Sequence, residues 1–137
     1  MLHLNPYLNF PGNTKEAMEF YKSCIEGSEL EIQTVGNSPM KDQMPVEFHN
    51  NILHSTLTLD GKVLFMAADG MRGQAPVNGD SNALCLSGDL AGIKDAFAKL
   101  SVEGNVVYPL KTEFFGTIGQ LVDKFGMSWM VQSDAKE

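Results

Sequence analysis

The residue best placed to do chemistry is a histidine in the middle of an alternating stretch, NNILHSTLTLDG (residues 50–61), where His54 shares its parity with Ile52, Thr56 and Thr58. An imidazole titrates near neutral pH, so His54 could serve as a metal ligand, as a general base or hydrogen-bond partner to a bound molecule, or simply as a hydrogen-bonded structural group. A divalent ion needs three or four convergent His, Glu or similar donors, so one histidine does not make a metal site. His3, His49, Glu47, Asp69 and Glu113 fall at strand ends or in loops, from which they could approach. Tyr7 projects with the polar parity of its own stretch and can offer a hydroxyl. Phe114-Phe115-Gly116 follows the polar run from Lys111 to Glu113, and the two rings either fill core or flank a cavity. Trp129 shares parity with Met127 and Val131 and reads as core. Met40, Met44, Met66 and Met71, around the long loops, suit gap filling or an adaptable apolar surface.

Other chemistries lack their signatures. Cys24 and Cys85 belong to no CxxC pattern and have no activating helix-start or elbow context, so two reduced, buried thiols are expected. DGMRGQAPVNGDSN (residues 69–82) is glycine-rich but carries no GxGxxG or Walker spacing and reads as linker or lip. Ten Lys and Arg stand against 17 Asp and Glu, a formal charge of -7, which disfavours nucleic acid and anionic membrane as partners. The start, MLHLNPYLNF, has neither a basic n-region nor a continuous apolar h-region, so a cytoplasmic location is the expectation. With 137 residues, 43% of them hydrophobic, the chain suits one globular domain.

The elements that must position these residues fall into two series. Residues 2–10 alternate as a strand, with Leu2, Leu4, Leu8 and Phe10 on one face. A helix follows, with Asn13 as its cap, Glu16 completing a capping box, Gly27 closing it, and a stripe of Ala17, Phe20, Tyr21, Cys24 and Ile25. Residues 29–36 form a strand, 37–49 a polar loop, and 51–59 and 62–68 a hairpin turned by Asp60-Gly61. Beyond the linker, residues 83–88 read as a strand, and Asp89 caps a helix with Leu90, Ile93, Phe97 and Leu100 on its stripe. Gly104 ends that helix, and 105–110, 117–123 and 127–132 read as strands. Phe20 and Phe97 lie 77 residues apart, as do Gly27 and Gly104, while Asn13 and Asp89 lie 76 apart. The two halves therefore read as repeated β-α-β-β-β modules, about 1–70 and 82–134, joined by a linker at 71–81.

Three segments, LNPYLNFPGNTKEAMEFYKS, ILHSTLTLDGKVLFMAAD and FFGTIGQLVDKFGMSWMV, in this order and within a match over nearly the whole chain, resemble the PhnB-like branch of the glyoxalase, bleomycin-resistance and extradiol-dioxygenase (vicinal oxygen chelate) superfamily. The resemblance implies an α+β fold in which two such modules form a U-shaped, cup-like mixed sheet with helices on its outer face, usually as a homodimer. It also implies metal-ligand positions at Asn5, His54, Ala83 and Met130, of which only His54 carries a usual donor for a divalent ion. The resulting expectation is a small-molecule-binding protein, of sequestration or resistance type, with Asn5, Tyr7, His54, Thr56, Phe114, Phe115 and Met130 as binding residues. The alternative is a lyase, isomerase or dioxygenase whose divalent metal, anchored by His54, acts on vicinal oxygens. Some members of the branch carry a methyltransferase label, but here the first strand runs into PGNTKEA and not into a glycine-rich cofactor loop.

Overall fold

A computed structural model describes residues 1–70 and 76–134. Met71 and part of the expected linker, residues 71–75, lie outside the described residues. The elements run β1 (Tyr7–Phe10), α1 (Thr14–Cys24), β2 (Glu29–Thr34), three 3-10 turns between Val35 and Phe48, β3 (Ile52–Leu59), β4 (Lys62–Asp69), β5 (Leu84–Ser87), α2 (Leu90–Leu100), β6 (Asn105–Glu113), β7 (Gly116–Val122) and β8 (Ser128–Ser133). They form two compact units, one of Met1–Lys22 and Gly27–Val77, the other of Ser23–Glu26 and Asn78–Glu137. Each unit holds a four-stranded mixed sheet, ordered β1-β4-β3-β2 in one and β5-β8-β7-β6 in the other. In each, the first strand pairs parallel with the last, as a β-α-β-β-β chain requires when its helix carries it across one face. The fold is α+β, and the repeat read from the helix spacings is present in the topology.

In the first unit Ser55 and Leu57 of β3 and Phe65, Ala67 and Asp69 of β4 are buried at alternate positions. Tyr21 of α1 meets Phe65 edge-on at 5.6 Å between ring centroids and Phe10 at 6.4 Å, and this aromatic stack is the centre of the core. Burial of each such side chain contributes about 1.5–3 kcal/mol. In the second unit Phe97 of α2 lies over Gly119 of β7, where an added Cβ would come within 2.8 Å of the ring. Trp129 and Leu121 are buried beside it, so Trp129 is core as expected, and its indole Nε1 donates to Asp123 Oδ2 at 2.8 Å.

Several local expectations are corrected. The first strand does not reach back to residue 2: Leu2 and Leu4 are fully exposed, because only from Tyr7 onward does a β4 residue lie opposite. The Asn13/Glu16 capping box does not form. Asn13 gives its carbonyl to Ala17 N, but its side-chain Oδ1 is buried without a partner among the described residues. The side-chain cap comes instead from Asp69, at the end of β4, whose Oδ1 accepts from Thr14 N at 3.1 Å and Thr14 Oγ1 at 2.6 Å. Its Oδ2 accepts from Ile52 N at 2.9 Å, so one buried carboxylate fastens helix, β3 and β4 together. Asp89 occupies the cap position of α2 by its backbone, without a side-chain cap bond. The left-handed residue after α2 is Glu103 (φ 58) and not Gly104, which is small because a Cβ would come within 2.5 Å of Val122 O. Asp60 and Gly61 both adopt positive φ, 52° and 77°, as a tight hairpin turn of the expected kind demands. β6 extends to Glu113, three residues beyond the expected end. Cys24 is buried, but Cys85 is exposed. Among the described residues no helix is long and apolar enough to cross a membrane.

Candidate functional site

Each sheet buries one face under its helix, and the other face is the more open one. On the open face of the first unit, paired residues form a row across the strands, Tyr7 beside Met66, Met66 beside Thr56, and Thr56 beside Glu31. His54 stands one pleat further along β3, opposite Gln33 of β2. Its ring lies 6.0 Å from that of Tyr7, tilted by 37°, and its Nε2 is 3.1 Å from Thr56 Oγ1. The geometry joins Tyr7, His54 and Thr56 into one half-open cluster. If the threonine hydroxyl donates to Nε2, Nδ1 carries the proton; if it accepts, Nδ1 is left as an acceptor. The pair can thus present either polarity to a ligand. Asn5 lies just before β1, half-buried, next to Pro6, whose carbonyl accepts from Met66 N at 3.0 Å.

The second unit repeats the row with different chemistry: Cys85 beside Met130, Met130 beside Gln120, and Gln120 beside Tyr108. Met130 occupies the place that Met66 holds in the first sheet, and Ile118, two residues before Gln120, stands where the first sheet has His54. Next along this face, Gln132 Nε2 donates to Ser87 Oγ at 3.0 Å. Phe114 and Phe115 do not fill core. They are the two-residue turn between β6 and β7, 85% and 52% exposed, with their rings nearly perpendicular at 5.1 Å. The hairpin tip therefore presents two exposed rings.

The remaining candidate donors have other duties. Asp69 belongs to the helix-side network already described. His49 Nε2 lies 2.9 Å from Lys41 O and 3.0 Å from Met44 O, stapling the 3-10 segment. Glu113 pairs with Lys111 at 3.6 Å. His3 and Glu47 are exposed. Ala83 lies just outside β5 and has no donor atom to give. Among the described residues no three His, Cys, Asp or Glu side chains gather into a group that could hold a metal ion. One imidazole already engaged by a threonine, with an amide, a methyl group and a thioether at the other implied positions, does not fit a divalent catalytic ion. Parity alone could have found Cys85, since Leu84 and Leu86 on either side both point to the helix; Asp69 and Asp123 carried no local signal.

Paired β-α-β-β-β modules, each with a parallel outer pair and one helix, define the glyoxalase/bleomycin-resistance class of folds. A solved domain of that class from Frankia sp., described as a glyoxylase/bleomycin resistance protein/dioxygenase domain, has the same fold, with a TM-score of 0.62 at 9% identity over 97% of this chain and 92% of its own. The chain belongs to the 3-demethylubiquinone-9 3-methyltransferase family, whose model matches residues 3–132. Protein PA1353 from Pseudomonas aeruginosa is 30% identical, with a TM-score of 0.82 over 97% of this chain and 98% of its own. The PhnB protein from Bacillus cereus is 27% identical, with a TM-score of 0.76 over 96% of this chain and 99% of its own. The PhnB-like resemblance read from three sequence segments is therefore correct.

Proposed function

We propose that this protein binds a small amphipathic molecule without covalent chemistry, through Asn5, Tyr7, His54 and Thr56 on the first sheet and Met130, Phe114 and Phe115 on the second. The observation that carries the reading is the Tyr7–His54–Thr56 cluster, which combines ring surface with a polar pair of adjustable polarity. Glu31 and Glu29 share that face by register with Thr56 and Thr58, which favours a neutral or cationic ligand over an anionic one. In this reading the protein works as a cytoplasmic homodimer, and the exposed Val107 and Tyr108 of β6 supply apolar surface for self-association.

Methyl transfer, which the family's description names, is not part of the proposal. The loop after β1 leads into a helix whose first amide is held by the Asp69 carboxylate, so the helix start that would cradle an anionic cofactor group is filled by the protein itself.

The test is a screen of neutral, cationic and anionic aromatic compounds by calorimetry, with light scattering on the same sample. A ligand should bind about tenfold or more weakly to His54→Ala and Phe115→Ala, the loss of roughly 1.4 kcal/mol that one good contact represents, and the mass should be that of a dimer. Unchanged affinity in both variants would refute the assignment. Stoichiometric uptake of Ni, Zn, Mn or Fe(II), lost in His54→Ala, would replace it with metal chemistry.

A further inference from the structure

The segment that enters the second unit contains the sequence's one Asn-Gly step, Asn78-Gly79. Both residues are exposed and lie outside helix and strand. No described residue approaches within 4 Å of where a Gly79 Cβ would stand, and no hydrogen bond to a described residue holds its N–H. Several of the other asparagines are protected in different ways. Asn5 precedes Pro6, which has no N–H to react. Asn9 and Asn105 lie in strands. Asn13 precedes Thr14, whose N–H is held by Asp69, and Asn37 Oδ1 accepts from Thr34 N at 2.8 Å.

We infer that Asn78 is a site of spontaneous deamidation, and that the change unfastens this segment from the β7–β8 turn. The Gly79 backbone nitrogen, losing its proton to solvent base, attacks Asn78 Cγ; the N–Cγ bond forms, the Cγ–Nδ2 bond breaks, and ammonia leaves. Water then opens the cyclic imide at either carbonyl, giving aspartate or isoaspartate. No oxidant, reductant or enzyme is required. Glycine favours the step because, lacking a Cβ, it lets its nitrogen swing onto the side chain.

The consequence follows from what the amide does before it is lost. Asn78 Nδ2 donates to Phe125 O at 3.4 Å and lies against Gly126, where a Cβ would come within 2.7 Å of it. The turn it meets is fixed: Asp123 Oδ1 accepts from Phe125 N at 2.8 Å and from Met127 N at 3.0 Å. A carboxylate at position 78 has no proton to give and sets a negative oxygen against that carbonyl, which cannot turn away. The bond becomes a repulsion.

The experiment ages the full-length protein in mildly alkaline buffer at body temperature and follows it by peptide mass mapping with isoaspartate labelling. The amide-to-acid mass gain should appear on the peptide carrying residue 78, mostly as isoaspartate, and should be roughly tenfold slower in Gly79→Ala, the rate factor of a conformational penalty of ~1.4 kcal/mol. An unmodified residue 78, or equal rates in wild type and Gly79→Ala, would overturn the site. Asn78→Asp should be cleaved faster by a protease between residues 76 and 83 than wild type is; equal cleavage would overturn the unfastening.

Discussion

Replacing Asp69 by alanine tests the network that sets the first module's geometry. The carboxylate is buried and accepts three hydrogen bonds from groups that are themselves buried: Thr14 N, Thr14 Oγ1 and Ile52 N. Alanine strands two backbone N–H groups out of reach of water at about 1–3 kcal/mol each, while the hydroxyl recovers part of its loss by rotating. The loss of the helix cap lies within the first of these terms and is not added again. The expected destabilisation is therefore about 3–5 kcal/mol, a large share of the 5–15 kcal/mol that a typical domain has. Asp69→Asn keeps the shape and one acceptor oxygen but turns an NH2 toward one of the donors, and should cost about 2 kcal/mol. Urea denaturation with calorimetry reads both, and the alanine variant's melting temperature should fall by about 10 °C or more. A loss below about 1 kcal/mol in Asp69→Ala would refute the reasoning, since it would mean that solvent satisfies these amides and that the carboxylate holds nothing.

Three further outcomes follow from the same packing. One thiol should react with a disulfide reagent in the native protein and two after unfolding, because Cys85 is exposed and Cys24 is buried; two fast thiols in native buffer would contradict the packing of α1. Burial pushes the Cys24 thiol up, against a smaller lowering from the Ser23 hydrogen bond, so the unfolded chain gives up this proton first. Stability should therefore fall as pH rises past the ordinary cysteine value of about 8.5, and Cys24→Ala should lack that part of the slope. Gly116→Ala should cost about 3 kcal/mol in urea denaturation, since φ is +137° and the new Cβ would strike the Ser133 carbonyl. Gly61→Ala, at φ +77° in open space, should cost about 1 kcal/mol, and equal losses at the two sites would show that the Ser133 contact gives way.

The contrast between what was legible in the sequence and what was not follows the range of the interactions. The paired modules were legible because amphipathic period, turn chemistry and the 77-residue spacing of Phe20 and Phe97 all come from nearby residues or from repetition. The alternation of Leu2 and Leu4 looked the same as that of Leu8 and Phe10, but a strand needs a neighbour, and β4 offers partners only from Tyr7 onward. Capping failed for the same reason. The residue that satisfies Thr14 N lies 55 positions away, and its identity was fixed by the register of β4 and not by anything beside the helix. At the candidate site, parity placed His54 and Thr56 on one face, whereas the contact with the Tyr7 ring required the parallel pairing of β1 with β4. Phe114 and Phe115 were open between core and cavity edge because two apolar residues before a glycine fit either; only the pairing of Glu113 with Gly116 makes them a turn, and a turn must project its side chains. Comparison of the two open faces adds what neither the motif nor the fold supplies: equivalent positions carry Tyr7 and Cys85, Thr56 and Gln120, His54 and Ile118. The repeat has kept its backbone while its two faces have taken on different chemistry, a phenol, a hydroxyl and an imidazole on the first sheet against a thiol, an amide and an aliphatic side chain on the second.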